Sequence, residues 1–562
     1  MGVEQVEEAI ARAFGSDPSI RILHIQAFAA GDALCANHFL ANDATPRINN
    51  GVTVVKLFIR TNGPASALPS TTAGTDVGME IWLPDIGNWN ERIRVQIQGG
   101  LMGDKGITDK KSFSTPPCGT DMSNGQLAAD KGFVVSSTDG GHVASTYEDM
   151  SYLMNVDGSI NREGWKNVAW QATRFLGIKT KELAKALYSR PAKYSYLFGC
   201  STGGRQGYHM AQKYPEDFDG ILIGCPSITQ SLLFPSLIHP HVVIHNDLKG
   251  QPFKPGQLEI VSRKAIAAGD TTITGQHDGY VTDWENSSYD PTQDPSVLSI
   301  SDGGTCTEPW ALSLAQATAI NKIWYGPTID GTIPPPATDN GTAINRPAGQ
   351  LWWGKIRGTR IDFDKFPRDI GGGMLAIAND DVSLASPLWK HPLGRSHNRW
   401  TDYTHAEFAQ AMLKCQERDQ DFENMDADDP NLRKAQSLNR KIMVYTGLAD
   451  PGVAPQSAIS YYERSAEMTG GLEETARFHR LFVIPGMGHC IRYRGCAGMA
   501  NPPIPTLEEM FAALIEWTEE GKAPDYLLAR SVDGMVERPI CAYPRKPKYI
   551  GGDVNSASSF ET

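Results

Sequence analysis

A serine on a tight turn, with a carboxylate and a histidine on later turns, can carry out acyl transfer: the hydroxyl attacks, the imidazole moves the proton, and the carboxylate orients the imidazole. Gly199-Cys200-Ser201-Thr202-Gly203 sets Ser201 among small neighbours, after the apolar run Tyr194–Phe198 and before a helical stretch, Arg205–Lys213. This spacing predicts a strand–turn–helix elbow that exposes the hydroxyl and aims the Thr202 N–H at a developing oxyanion. The partners follow in the order Asp, then His. Asp450 comes after the run Lys441–Tyr445, and His489 after Leu481–Ile484. Both fall on loops at carboxyl ends of strands, where open α/β sheets bind ligands. A second oxyanion donor should come from an earlier strand end. Gln98-Gly99-Gly100-Leu101 after Ile93–Gln98 fits, with the Gly100 N–H preferred and Gly99 beside it, because glycine lets the backbone approach a substrate oxygen. His142, in Thr138-Asp139-Gly140-Gly141-His142, is a further candidate for lining the site. His239, His241 and His245 lie close together but match no compact metal motif, and read as loop histidines.

The elements that must position these residues are short apolar runs alternating with helical patterns. Ile93–Gln98, Phe133–Ser136, Tyr194–Phe198, Gly220–Gly224, Lys441–Tyr445 and Leu481–Ile484 read as strands, and Trp165–Ala186 and Arg205–Lys213 as helices. Such alternation predicts a mainly parallel sheet covered by helices, an α/β class. Thr506 and Glu509 form a capping box ahead of a helix whose apolar positions are Leu507, Met510, Phe511, Leu514 and Ile515. Residues 228–436 lack the alternation and are rich in Pro, Gly and Asp. The expected organisation is therefore an α/β-hydrolase fold with a large inserted second domain: residues 1–227 and 437–562 form a discontinuous catalytic domain, and residues 228–436 form the insertion, which a family resemblance implies is a lid domain.

Composition narrows the function. The chain has 562 residues, 40% of them hydrophobic and 21% charged, as expected of a folded globular protein. A net charge of −12 leaves no basic stripe for nucleic acid and opposes an anionic membrane surface. No run of apolar residues is long enough to span a bilayer. The nine cysteines include no Cys-x-x-Cys pair, which leaves zinc and thioredoxin-like sites without support. Cys200 and Cys490 adjoin the candidate nucleophile and base. On the residues alone they are equally a disulfide and two small buried thiols beside tight turns.

The segment Tyr194–Asp219 (YSYLFGCSTGGRQGYHMAQKYPEDFD) resembles the nucleophile region of the tannase and feruloyl esterase family. TGLADPGVAP at 446–455, RLFVIPGMGHC at 480–490, TDGGH at 138–142, ALIEWTEEGKAPD at 513–525 and RPICAYP at 538–544 resemble it too, from about residue 80 to the end. The resemblance implies a serine carboxylic ester hydrolase acting on small aromatic esters of feruloyl or galloyl type. It implies Ser201, Asp450 and His489 as the triad, a Cys200–Cys490 disulfide, and a lid between the Ser and Asp segments. No nucleic-acid or membrane partner is expected. An acyltransferase using the same triad is the alternative reading, and a non-enzymatic binding role is a second rival.

The chain also departs from the family. Its lid loop for calcium has the form CD-x-x-DG-x-x-DG, whereas residues 269–279 here read GDTTITGQHDG. Thr274 stands where an aspartate is wanted and only Asp270 and Asp278 remain, so neither metal nor cofactor is expected. The N-terminal residues lack the pattern of a signal peptide, which points to a cytoplasmic protein, with secretion after signal removal as the alternative. A disulfide at the catalytic centre argues for that alternative. Trp324, Tyr325, Trp352 and Trp353 could stack on a substrate ring, though each more often reads as core. Arg357 and Arg360 could pair a substrate carboxylate, but read first as solvated surface.

Overall fold

Strands buried on both faces must be continuous apolar runs, and the central sheet is built from such runs. The structure, a computed structural model, describes residues 2–34, 47–61, 75–110, 112–117, 120, 122–144, 146–270, 274–275, 277–361, 368–490 and 500–562. The chain divides into two units. The first holds Met1–Pro226, Gln420–Met443 and Leu514–Gly521; the second holds Ser227–Asp419, Val444–Ala513 and Lys522–Thr562.

Among the described residues the first unit holds seven whole strands: β1 (Ile20–Phe28), β2 (Val52–Arg60), β3 (Asp76–Pro84), β4 (Arg92–Ile97), β5 (Val134–Thr138), β6 (Tyr194–Cys200) and β7 (Gly220–Gly224). Their order in the sheet is β1-β2-β3-β5-β4-β6-β7. From β5 onward the pairs are parallel, with Val95 opposite Ser136 and Leu197, and Leu197 opposite Ile221. β1, β2 and β3 pair antiparallel, and β3 pairs antiparallel with β5. The parallel expectation therefore holds for the strands that carry the site, and an antiparallel flank precedes them. The start of β8 (Lys441–Gly447) lies beside β7, where the Lys441 N–H donates to Asp219 O at 3.0 Å.

A buried ion pair explains how the flank holds the loop after β4. Lys56 on β2 and Glu80 on β3 are register partners, 3.2 Å apart and without solvent exposure. Lys56 also donates to the carbonyls of Gly106, Asp109 and Ser112. Glu80 accepts from Trp82 Nε1 and Ser114 Oγ. Burial raises the Glu80 pKa even against the Lys56 charge. A buried pair stripped of one partner leaves an uncompensated charge, at a cost of about 3–5 kcal/mol. Lys56→Met is accordingly expected to lower stability by roughly that amount, read as a shift in denaturant midpoint.

The segment expected as one helix, Trp165–Ala186, is an α-helical turn at Arg162–Lys166, a π-helical turn at Asn167–Gln171 and an α-helix at Ala172–Tyr188. The π turn releases carbonyls, and the fully buried Arg205 takes up two of them, Val168 O and Ala169 O, at 2.6 and 2.9 Å. Arg205 lies one turn after Ser201, so this contact fixes the helix that begins at the elbow.

In the second unit the rest of β8 lies beside β9 (His479–Ile484). The helix Pro455–Thr469 connects them. Residues 227–419 form further helices, including His239–Asp247, Gln257–Gly269, Leu314–Tyr325, Asp369–Asn379 and His405–Glu417. Their core includes Val261, Ala265, Val297, Leu312, Ile320 and Trp324. The Thr506–Glu509 capping box is formed, with Thr506 Oγ1 accepting from Glu509 N and Glu509 Oε2 from Thr506 N. Among the described residues, no helix is long and apolar enough to cross a membrane.

Candidate active site

In the first unit Ser201 sits between β6 and the helix Thr202–Lys213 with φ 62° and ψ −119°. A side chain rarely adopts that conformation, which stores strain of about 1–3 kcal/mol and here turns the chain sharply. The glycines are required by close backbone approach. A Cβ at Gly199 would lie 2.3 Å from Gly203 O, and one at Gly203 would lie 2.4 Å from Ile97 O. The Ser201 N–H donates to Gly224 O at 2.9 Å, tying the elbow to the end of β7.

The loop after β4 comes up beside the elbow. A Cβ on Gly99 would lie 3.3 Å from Ser201 Cβ. Gly100 has φ 63°, and a Cβ there would lie 2.5 Å from Tyr147 O. Its N–H has no acceptor among the described residues, whereas the next N–H, of Leu101, donates to Tyr147 O at 2.9 Å. Thr202, at the helix start, is buried. His142 lies beneath this loop rather than in the role of a charged base. It is 5% exposed and stacks on Tyr152 at 3.7 Å, and burial pulls its pKa down to about 4, so the ring is neutral.

In the second unit the loops after β8 and β9 bring Asp450 and His489 together. The Leu448 N–H donates to Ile484 O at 3.0 Å and the Ala449 N–H to Met487 O at 2.9 Å. Gly447 permits this approach, since a Cβ there would lie 2.3 Å from Met487 O. Asp450 Oδ1 accepts from the N–H groups of Gly452 and Val453, both at 2.9 Å. Its Oδ2 lies 2.6 Å from His489 Nδ1. The carboxylate is fully buried and the imidazole 24% exposed. A carboxylate at Nδ1 assigns the proton to that nitrogen and leaves Nε2 as the basic one.

Cys200 and Cys490 are each disulfide-bonded, and the other described cysteines, Cys225, Cys306, Cys415 and Cys541, are buried thiols. Within the second unit a shallow crevice borders Asp450 and Gly452 and is lined also by His239, Trp353 and Lys355. The cluster His239, His241 and His245 lies on the helix His239–Asp247 rather than in a loop. Trp324, Tyr325, Trp352 and Trp353 are all buried. Arg357 is not solvated surface. It is 1% exposed, donates to Asn321 Oδ1 and Tyr289 O, and lies over the Trp324 ring, and its burial lowers its pKa to about 10. Arg360 is exposed. A buried arginine met by uncharged oxygens leaves no mark in a linear sequence.

The described residues of the loop 269–279 do not make a calcium cage, which needs about six to eight oxygen ligands. Asp270 Oδ2 accepts from the Gly279 N–H at 2.7 Å, which leaves one buried oxygen uncommitted. Asp278 faces Arg538 at 3.5 Å, and burial raises its pKa. The cation beside Asp278 is thus a guanidinium. A chelator is expected to change the melting temperature by no more than about 2 °C, a shift of under 1 kcal/mol in a chain of this size. Thermal melts with EDTA and with added calcium check this, and a large calcium-restored loss would contradict it.

An elbow at the end of a buried parallel strand, with an aspartate and a histidine bonded on loops after later strands, defines an α/β-hydrolase. The family model for tannase and feruloyl esterase matches residues 65–562, and the chain belongs to that family. It is a carboxylic ester hydrolase of feruloyl esterase and tannase type. A probable feruloyl esterase of Arthroderma benhamiae is 29% identical over 504 residues, covering 86% of this chain and 82% of that protein. Feruloyl esterase B of Aspergillus niger is 26% identical over 499 residues, with the same coverages. The fold is shared with the crystal structure of feruloyl esterase B from Aspergillus oryzae, at a TM-score of 0.72, 21% identity and 99% coverage of both chains. It is shared also with a tannin acyl hydrolase from Aspergillus niger, at a TM-score of 0.72 and 18% identity, covering 98% of this chain and 94% of that one.

Proposed function

We propose that this enzyme hydrolyses small esters of aromatic hydroxy acids, of feruloyl or galloyl type, through an acyl-enzyme on Ser201. The observation that carries the reading is the 2.6 Å bond from His489 Nδ1 to the buried Asp450, which leaves Nε2 to act as the base. Ser201 Oγ attacks the ester carbonyl and gives its proton to His489 Nε2. The protonated imidazole returns that proton to the departing alcohol oxygen. Asp450 holds the tautomer and stabilises the imidazolium. The N–H groups of Thr202 and Gly100 receive the oxyanion, each worth roughly 3 kcal/mol of barrier. Water, activated by the same histidine, then attacks the acyl carbon and releases the acid.

Residues 228–436 are read as the lid, with residues 1–227 and 437–562 as the catalytic domain. Disulfides persist in oxidising compartments, so disulfide-bonded Cys200 and Cys490 favour a secreted enzyme over a cytoplasmic one.

The test is a hydrolysis panel of galloyl, feruloyl, terephthaloyl and simple aliphatic esters, run with and without an added alcohol. At least tenfold higher kcat/KM on the aromatic hydroxy esters, with free acid as the main product, is expected. Equal rates on aliphatic esters would refute the substrate class. Transfer of most acyl groups to the alcohol would instead establish an acyltransferase.

A further inference from the structure

We propose that Asp139 is a positioning residue for the oxyanion loop, clamping β3, the loop after β5 and the segment Gly99–Gly103 together through one buried carboxyl and its own backbone carbonyl. The proposal rests on the reading of Gly100 as an oxyanion donor.

Asp139 is 3% exposed and touches three pieces of chain. Its Oδ1 accepts from the N–H of Gly78 on β3 at 2.9 Å and from the N–H of Gly141 in its own loop at 2.8 Å. Its main-chain oxygen accepts from the Gly103 N–H at 2.9 Å, at the far end of the oxyanion loop. The Ala144 N–H returns a bond to Gly103 O at 3.1 Å, so Gly103 is held from both sides. Packing leaves little room for any other arrangement. A Cβ on Gly78 would lie 2.3 Å from Asp139 Oδ2, one on Gly140 would lie 2.5 Å from Met102 Cε, and one on Gly103 would lie 2.8 Å from His142 Nε2. Leu101, Met102 and Gly103 follow the proposed donor, and Met102 Sδ meets Gln206 Nε2 on the nucleophile helix at 3.8 Å. Moving the Asp139 carboxyl would therefore shift Gly103, then Met102, then the direction of the Gly100 N–H. An N–H worth roughly 3 kcal/mol when aligned on an oxyanion loses most of that when it swings away.

The carboxyl is also placed where its charge is opposed. Burial pushes its pKa up to about 7, with Asp104 and Asp76 adding repulsion and the Gly141 and Gly78 N–H groups acting against the rise. Arg60 neutralises Asp76 at 2.7 Å. His142 is neutral, and the Tyr152 hydroxyl stays protonated because burial raises its pKa. Since the folded-state pKa lies above the ordinary carboxyl value, the folded state binds more protons between about pH 4 and pH 7. Stability from this group is full below that window and declines as pH rises through it.

Two variants separate positioning from bulk structure. Asp139→Ala removes the acceptor, whereas Asp139→Asn keeps an acceptor oxygen and removes the charge. For Asp139→Ala, kcat is expected to fall about a hundredfold, the size of a ~1 Å misplacement, with KM within about threefold. Affinity for an arylboronic acid, which forms a tetrahedral adduct on Ser201, should fall in parallel, while affinity for the product acid does not. Asp139→Asn should keep kcat within about tenfold of the parent enzyme at pH 8. Its melting temperature should lose the decline between pH 4 and pH 7 that the parent shows.

Unchanged kcat in Asp139→Ala, an equal loss in KM, or equal impairment of the two variants would overturn the proposal. Should Asp139→Ala not fold, Asp139→Asn decides: a hundredfold loss of kcat, or an unaltered pH dependence of melting, overturns it. Failure of the underlying reading looks different. There the boronic acid would not bind the parent enzyme at all, or Ser201→Ala would remain active.

Discussion

Ser201→Ala is expected to lower kcat by roughly 10⁴–10⁶-fold, and His489→Ala by a similar amount, because nucleophile and base act as one unit and losing either removes the covalent route. Asp450→Asn should cost about 10⁴-fold, since an amide at 2.6 Å from Nδ1 stabilises the wrong tautomer and cannot hold the imidazolium. The loss should appear in kcat with little change in KM, because none of the three is asked to hold the ground-state ester. Labelling by an aryl fluorophosphonate should disappear in Ser201→Ala. The fold should survive, as alanine at position 201 bears the same φ of 62° that serine bears. Ser201→Gly gives a second readout. It relieves a strain of about 1–3 kcal/mol and loses part of the gain to chain entropy, so it should be more stable than Ser201→Ala by about 1 kcal/mol. A folded Ser201→Ala enzyme with most of its activity would refute the mechanism, and no gain in Ser201→Gly would refute the strain.

The site was more legible in the sequence than the scaffold behind it, and physical reasons account for both. The elbow announces itself because Gly199 and Gly203 each meet backbone oxygen at under 2.5 Å from a hypothetical Cβ, so no other residue fits. The same holds for Gly447 beneath Asp450. Strands β4 to β9 were readable as short runs of β-branched and apolar residues, although β4 also buries Arg94 and Gln96. β2 and β3 were not recognised as strands. Each carries a charge, Lys56 or Glu80, that the sequence presents as a solvent-facing residue and that only the cross-strand partner makes tolerable in the interior. The antiparallel flank follows from that pairing, as does the anchoring of residues 106–114. Arg205 and Arg357 show the same limit. A guanidinium that satisfies carbonyls of a π turn, or the side-chain oxygen of an asparagine 36 residues away, cannot be told from a surface arginine until those acceptors are placed. Asp139 was visible as part of TDGGH, and its bond with Gly141 is local, yet its contacts with Gly78 on β3 and with Gly103 are not revealed by its neighbours in sequence.

Cys200→Ala combined with Cys490→Ala is expected to reduce both stability and rate. Each cysteine is disulfide-bonded and buried, and each sits directly beside a proposed catalytic residue. A bond joining this pair closes a loop of about 290 residues, which in the chain-entropy model restricts the unfolded state by roughly 5–6 kcal/mol. The bond would also set the His489 loop against the Ser201 loop. Cys490 has a φ of 54°, a conformation that a cysteine keeps only when its surroundings hold it there. With the bond removed, that turn can relax and carry His489 with it, and a displacement of ~1 Å costs about a hundredfold in rate. The double variant should therefore lose kcat by one to two orders of magnitude even below its lowered melting temperature, and a strong reductant should do the same to the parent enzyme. Peptide mass spectrometry of a nonreduced digest tests the pairing directly: a single crosslinked species containing both cysteines is expected. Free alkylation of both without reductant would leave them as two small residues beside tight turns. In that case the alignment of His489 would depend on its bond to Asp450 and on the Leu448 and Ala449 backbone bonds.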